Sequence, residues 1–169
     1  NDGLAYRFTT KMKNDIVVVD EEADYTFSSD HMAFAPYVNS KKATFEEQFM
    51  NSFEQPYVHE PITKLNSKRL MILPLLVELD GGKKLCITEA DLEDYPGMFL
   101  NNSIDKPVLK PIFASYPKVK KQGGHNNLQM LVEEREDYIA KTSGTRAFPW
   151  RVFIVSENDK QLADCDMVY

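Results

Sequence analysis

Apolar residues along the chain fall into short runs separated by turn-forming residues, and most runs are too short for a helix. Leu4 to Thr9 alternates partly with polar positions and predicts a strand, introduced by the Asn1-Asp2-Gly3 turn signal. Ile16 to Val19 is β-branched and predicts a second strand. Tyr25 to Phe27 predicts a third, and His31 to Phe34 a fourth that stops before Pro36. Leu75 to Leu79 reads as a buried strand. Asp80-Gly81-Gly82 is a hairpin turn leading into a further strand at Leu85 to Thr88. Val108 to Ala114 predicts a strand interrupted early by Pro111, and Trp150 to Ser156 another, ended by the turn Glu157-Asn158-Asp159.

Three stretches are less regular. In Ser40 to Asn66, Thr44 and Glu47 have capping-box spacing, and Phe45, Phe49 and Phe53 recur every fourth residue. A short amphipathic helix fits this pattern, and so does an aromatic loop laid over a neighbouring surface. Tyr116 to Asn127 is polar, contains Gly123-Gly124, and is expected to be a loop. Leu128, Leu131, Val132 and Arg135 have helical spacing, while Tyr138 to Thr142 reads as a strand. Gln161 to Asp164 and Met167 to Tyr169 are expected to close the sheet. Many short strands, few helices and frequent turns favour an all-β sandwich or barrel.

Composition sharpens this only in places. The 169 residues fit one domain, and a hydrophobic share of 43% is enough to build a core. Net charge is −6, and the lysines in Lys118 to Lys121 are too few to argue for nucleic acid. No apolar run approaches transmembrane length. Cys86 lies in an apolar strand and is expected to be a buried free thiol; it pairs with Cys165 only if the fold brings them together. The chain opens on Asn1 and ends on the apolar Met167-Val168-Tyr169, so it is expected to be cut from a longer polypeptide.

Candidate chemistry concentrates in Leu85 to Leu100. An apolar strand runs into Glu89, Asp91, Glu93 and Asp94, and Pro96-Gly97 then starts a new element. Carboxylates at a strand end can supply hard oxygen ligands to Ca²⁺. The same residues also fit a capped helical turn, with Thr88 as N-cap and Asp91 three residues on. The three histidines, His31, His59 and His125, have no metal-ligand spacing, and His31 and His59 read as packing or hydrogen-bonding residues. No G-x-S-x-G elbow and no phosphate loop occurs.

The run ITEADLEDYPGMFL resembles the N-terminal domain of glycoside hydrolase family 97. So do the opening NDGLAYRF, the segment SDHMAF at Ser29 to Phe34, and FPWRVFIVSEND at Phe148 to Asp159; the blocks follow the family's order. The resemblance implies a galactose-mutarotase-like β-supersandwich of two large, mainly antiparallel sheets, spanning 1–169, with a catalytic (β/α)₈ barrel following in the same polypeptide. It implies a periplasmic or secreted α-glycosidase acting on α-linked oligosaccharides, with α-galactosides preferred over α-glucosides through the likeness of Tyr95-Pro96-Gly97-Met98. Hydrolysis of a glycosidic bond uses two facing carboxylates. The family carries these on the barrel, so no catalytic residue is assigned in this chain. One calcium ligand carries over, Glu89, in Ile87-Thr88-Glu89-Ala90. Asp91, Glu93 and Asp94 are expected to form a solvated acidic face. Trp150 and Arg151 match the family's PWR motif and are expected to be a core tryptophan and a structural ion pair. The alternative class is a free-standing carbohydrate-binding or interaction module with no catalysis.

Overall fold

The structure, a computed structural model, describes residues 2–39, 44–50 and 54–168. The chain begins with four short strands: β1 (Gly3–Tyr6), β2 (Thr9–Lys11), β3 (Ile16–Val18) and β4 (Tyr25–Thr26). Next come β5 (Met32–Ala35), the single helical turn α1 (Phe45–Gln48), β6 (Val58–Pro61), β7 (Leu75–Glu78) and β8 (Lys84–Ala90). They are followed by β9 (Phe99–Asn102), β10 (Val108–Ile112), β11 (Pro117–Gly123) and β12 (Gln129–Arg135). The last elements are β13 (Ala140–Thr142), β14 (Thr145–Ala147), β15 (Trp150–Ser156) and α2 (Asp159–Ala163).

Every strand pairing is antiparallel. The largest sheet has the order β1-β15-β8-β7-β5-β6, and β4-β10-β9 form a second. Among the described residues there are also three two-stranded ladders, β11-β12, β13-β3 and β14-β2. The fold is therefore the expected all-β one, with its second layer divided among shorter sheets. Alternation along the strands builds two cores. On one face of the large sheet, Leu75, Val77 and Ile87 join Leu100 and Leu109 of the three-stranded sheet and Ile139 beside β13. Burying a side chain such as Ile87 or Leu100 contributes about 1.5–3 kcal/mol. On the opposite face, Cys86, Val152 and Ile154 pack under Leu162 of α2, Cys165 and Met167.

The turn between β7 and β8 is the predicted hairpin. Gly81 (φ 72°) and Gly82 (φ 78°) take left-handed conformations that side chains resist. The Thr44/Glu47 capping box is present, but the helix it starts lasts one turn, and Phe53 lies outside the described residues. Pro111 does not interrupt β10. Its strand partner β4 covers only Val108 and Leu109, so the missing N–H falls beyond the paired stretch. His31 lies beside Ser29 and Phe27, and His59 stacks on Phe34 while pairing with Glu78.

Further expectations are corrected. Leu4 to Thr9 is two strands, because the chain leaves β15 after Tyr6 and turns toward β14. The expected loop at 116–127 and the helix-spaced 128–135 are the two arms of one hairpin, β11 and β12. Gln161 to Asp164 does not close a sheet. Asn158 caps α2 by accepting from the Gln161 N–H, and the helix covers the outer face of β15 and β8. Thr88 caps nothing, since β8 continues through Ala90. Tyr169 lies outside the described residues. Among the described residues no helix is long and apolar enough to cross a membrane.

Cys86 is a buried free thiol, as expected, and Cys165 is free as well. Burial, with Cys165 nearby, pushes the Cys86 thiol up to about 11, so it stays protonated at neutral pH. Iodoacetamide at pH 8 should therefore modify Cys86 only after unfolding, as read by peptide mass spectrometry. Fast labelling in the native protein would show that α2 does not cover the sheet.

Candidate functional site

Glu89 and Arg151 are directly opposite each other on β8 and β15, in the register Arg151↔Glu89. Residue parity puts both on the inner face, with Ile87 and Phe153 as their same-face neighbours. Arg151 is 1% exposed. Its Nη1 donates to Glu89 Oε2 at 2.8 Å, and its Nε and Nη2 donate to the two oxygens of Glu21 at 2.8 and 2.7 Å. That bidentate fork is the geometry a guanidinium is built for. The Phe113 ring lies under the guanidinium, 5.2 Å away.

Glu21 comes from the segment between β3 and β4, far from the other two in sequence. It is buried and also accepts from Tyr95 Oη at 3.1 Å. Tyr95 reaches it from the loop between β8 and β9, its ring edge-on to Phe113 and Phe148. This loop is bent by left-handed Asp91 (φ 58°) and Asp94 (φ 46°), and it folds back over Glu89. The Met98 N–H donates to both Glu89 oxygens, at 3.1 and 3.2 Å. Gly97 lies against the carboxylate, where a Cβ would come within 3.4 Å of Glu89 Oε1.

One guanidinium serves two carboxylates, so a negative charge is left over. Burial raises the Glu89 carboxyl above its ordinary range, against the Met98 N–H and Arg151, and the nearby Glu21 adds to the rise. Burial alone would pull Arg151 down. Its hydrogen bonds and charge contact with Glu21, then Glu89, reverse this and hold it charged. Tyr95 is raised by burial and by Glu21, and remains a phenol that donates its proton.

The Glu89 side chain is 15% exposed. Among the described residues Oε1 accepts only from Met98, so it keeps lone-pair capacity, while Oε2 also takes Arg151. Among the described residues no three His, Cys, Asp or Glu side chains converge as a metal site. Ca²⁺ takes roughly six to eight oxygens, so the Glu89 carboxylate by itself could supply only a small part of such a shell.

The neighbouring acidic residues do not join the cluster. Asp91, Glu93 and Asp94 are exposed, and Asp91 pairs with Arg7 at 3.1 Å. Arg151 makes the expected structural ion pair. Trp150 is only partly buried and carries Arg7 over its ring at 4.4 Å. Sequence reasoning missed Glu21 and Tyr95 as partners of this pair. Glu21 sits in the polar run Asp20-Glu21-Glu22, which gives no periodic signal of burial. Two clefts flank the cluster. One of about 480 Å³ is lined by Phe8, Val17, Glu21, Tyr95 and Phe148. Another, of about 350 Å³, lies between the 94–97 loop and the root of the β11-β12 hairpin.

Residues 1–169 match the family described as Glycosyl-hydrolase 97 N-terminal. The chain is 51% identical over 170 residues to a retaining alpha-galactosidase of Bacteroides thetaiotaomicron, covering all of this chain and 26% of that protein. A glycoside hydrolase family 97 enzyme of Pseudoalteromonas sp. strain K8, solved with acarbose, superposes with a TM-score of 0.69 at 20% identity, over 99% of this chain and 21% of that one. A variant of that enzyme solved with panose gives a TM-score of 0.70 at 19% identity, again over 99% and 21%. At this identity the two structures bear on the fold alone. The chain spans about a quarter of the length of the curated relative it matches.

Proposed function

The chain belongs to the glycosyl-hydrolase 97 N-terminal family, and we propose that it is the accessory domain of a calcium-dependent α-glycoside hydrolase, supplying one calcium ligand and part of the active-site wall. The arrangement of Glu89 carries this reading. Its carboxylate is held by Met98 and Arg151, only partly neutralised, and open to a cation through Oε1. Desolvating such a charge is unfavourable unless a counter-charge completes it. The remaining ligands would come from the catalytic barrel of the same polypeptide and from water. That barrel would also carry the catalytic carboxylates. A bound calcium supplies charge stabilisation as the glycosidic bond breaks. This chain's own part is to aim Glu89 and to wall the site with the 91–98 loop.

The sugar specificity we infer is for α-galactosides before α-glucosides, supported by the 51% identity to a retaining alpha-galactosidase. The periplasm or the extracellular space is the inferred location, from the family resemblance. The test is the full polypeptide assayed on aryl α-galactosides and α-glucosides with and without a calcium chelator. Turnover of the α-galactoside, lost on chelation and restored by calcium, is expected. Activity on α-glucosides alone overturns the sugar assignment, activity indifferent to chelation overturns the calcium, and no turnover of either overturns the enzyme.

A further inference from the structure

Among the described residues, no third strand pairs with the β11-β12 hairpin. Seven residues in each arm at roughly 3.3 Å per residue give a ribbon on the order of 20 Å long. Among the described residues, its contacts with the rest of the fold lie at the root. Arg135 donates to the Ser115 carbonyl and pairs with Glu46, and Tyr116 stacks on Tyr138 with ring centroids 5.7 Å apart. Beyond the root, Lys118–Glu134 and Lys121–Glu133 pair at 3.7 Å on exposed positions, where such pairs contribute little. The ribbon has no core of its own, and an isolated two-stranded ribbon is marginal in water. Its far end nevertheless carries Leu128, 80% exposed, and Met130, 55% exposed.

We infer that this hairpin is a docking arm, laid with Leu128 and Met130 against the catalytic domain of the same polypeptide. The inference rests on the accessory-domain reading. Two observations choose the occupant. The root of the arm, at Tyr116, Pro117 and Arg135, shares one cleft with Tyr95, Pro96 and Gly97 of the loop over Glu89. A group that enters this cleft beside the 94–97 loop therefore meets the root of the arm, from which the ribbon extends. In addition, most of the length of the curated relative lies outside the matched region. A domain tethered in the same chain is present at roughly millimolar effective concentration, so two apolar anchors suffice to seat the arm. A second copy gains no such advantage, and a stable dimer needs about 1,000 Å² or more of interface.

The test places a photo-crosslinking residue at position 128 of the full polypeptide and maps the products by mass spectrometry. Crosslinks from 128 to residues beyond 169, at a yield independent of protein concentration, are expected. A companion variant, Leu128→Asp with Met130→Asp, is expected to speed amide hydrogen exchange over 119–132 by about tenfold or more, as local opening becomes easier. Crosslinks between two copies, crosslinks confined to residues 1–169, or exchange over 119–132 unchanged by the double substitution each overturn the inference. The readouts need neither calcium nor turnover. A chelator-insensitive enzyme whose position 128 still crosslinks beyond 169 would overturn the calcium assignment alone and leave the arm standing.

Discussion

Arg151→Met is expected to lower the stability of the fold by about 3–5 kcal/mol, the usual cost of stripping one partner from a buried ion pair. Arg151 is almost completely buried and satisfies Glu21 through two nitrogens and Glu89 through a third. Methionine fills part of the space but leaves two carboxylates facing each other, with the Tyr95 hydroxyl as the remaining side-chain donor to Glu21. Arg151→Lys should recover only part of the loss, because an ammonium cannot reproduce the fork. Adding Glu21→Gln and Glu89→Gln to Arg151→Met should restore much of it by removing the unpaired charges. Urea denaturation of the series is the measurement. A loss below about 1 kcal/mol for Arg151→Met would put this cluster in the class of exposed pairs.

Glu89→Gln should behave in the opposite way. The substitution keeps the side-chain shape and an acceptor for the Met98 N–H, and Arg151 then serves Glu21 alone in a balanced pair. Folding should survive with little change. In the full polypeptide, calcium affinity and turnover should fall together, on the order of ten- to a hundredfold, since ligand charge sets calcium affinity over several decades. Calorimetric calcium titration beside an α-galactoside assay reads both. A Glu89→Gln enzyme with wild-type affinity and turnover would leave Glu89 as the inner partner of Arg151 and nothing more.

These two substitutions separate the roles of two residues that sit in different sequence motifs. Ile87-Thr88-Glu89-Ala90 marks a carboxylate near a strand end, and PWR at 149–151 marks a structural arginine. That the two face each other is a matter of register between β8 and β15, with a difference of 62 positions along the chain. That Glu21 completes the arginine's fork spans 130 positions, and no local pattern encodes it.

Local chemistry determined what could be read directly. Asp80-Gly81-Gly82 makes the β7-β8 hairpin because two left-handed glycines at the turn admit few other backbones. Thr44 and Glu47 start a helix because their side chains satisfy each other's backbone donors. Short apolar runs, β-branched or aromatic in β3 and β15, marked β3, β7, β8 and β15, and their shortness marked the all-β class. Tertiary structure alone decided the rest. The β11-β12 arm was hidden because both its faces meet solvent, which erases the alternation that identifies a strand. The α2 helix depends on lying across the outer face of β15 and β8, and its five residues are too few to show a period. Glu21 is buried because the packing of three distant segments closes over it. Only that closure turns a polar residue in an acidic run into the partner that holds Arg151 in place beneath Glu89.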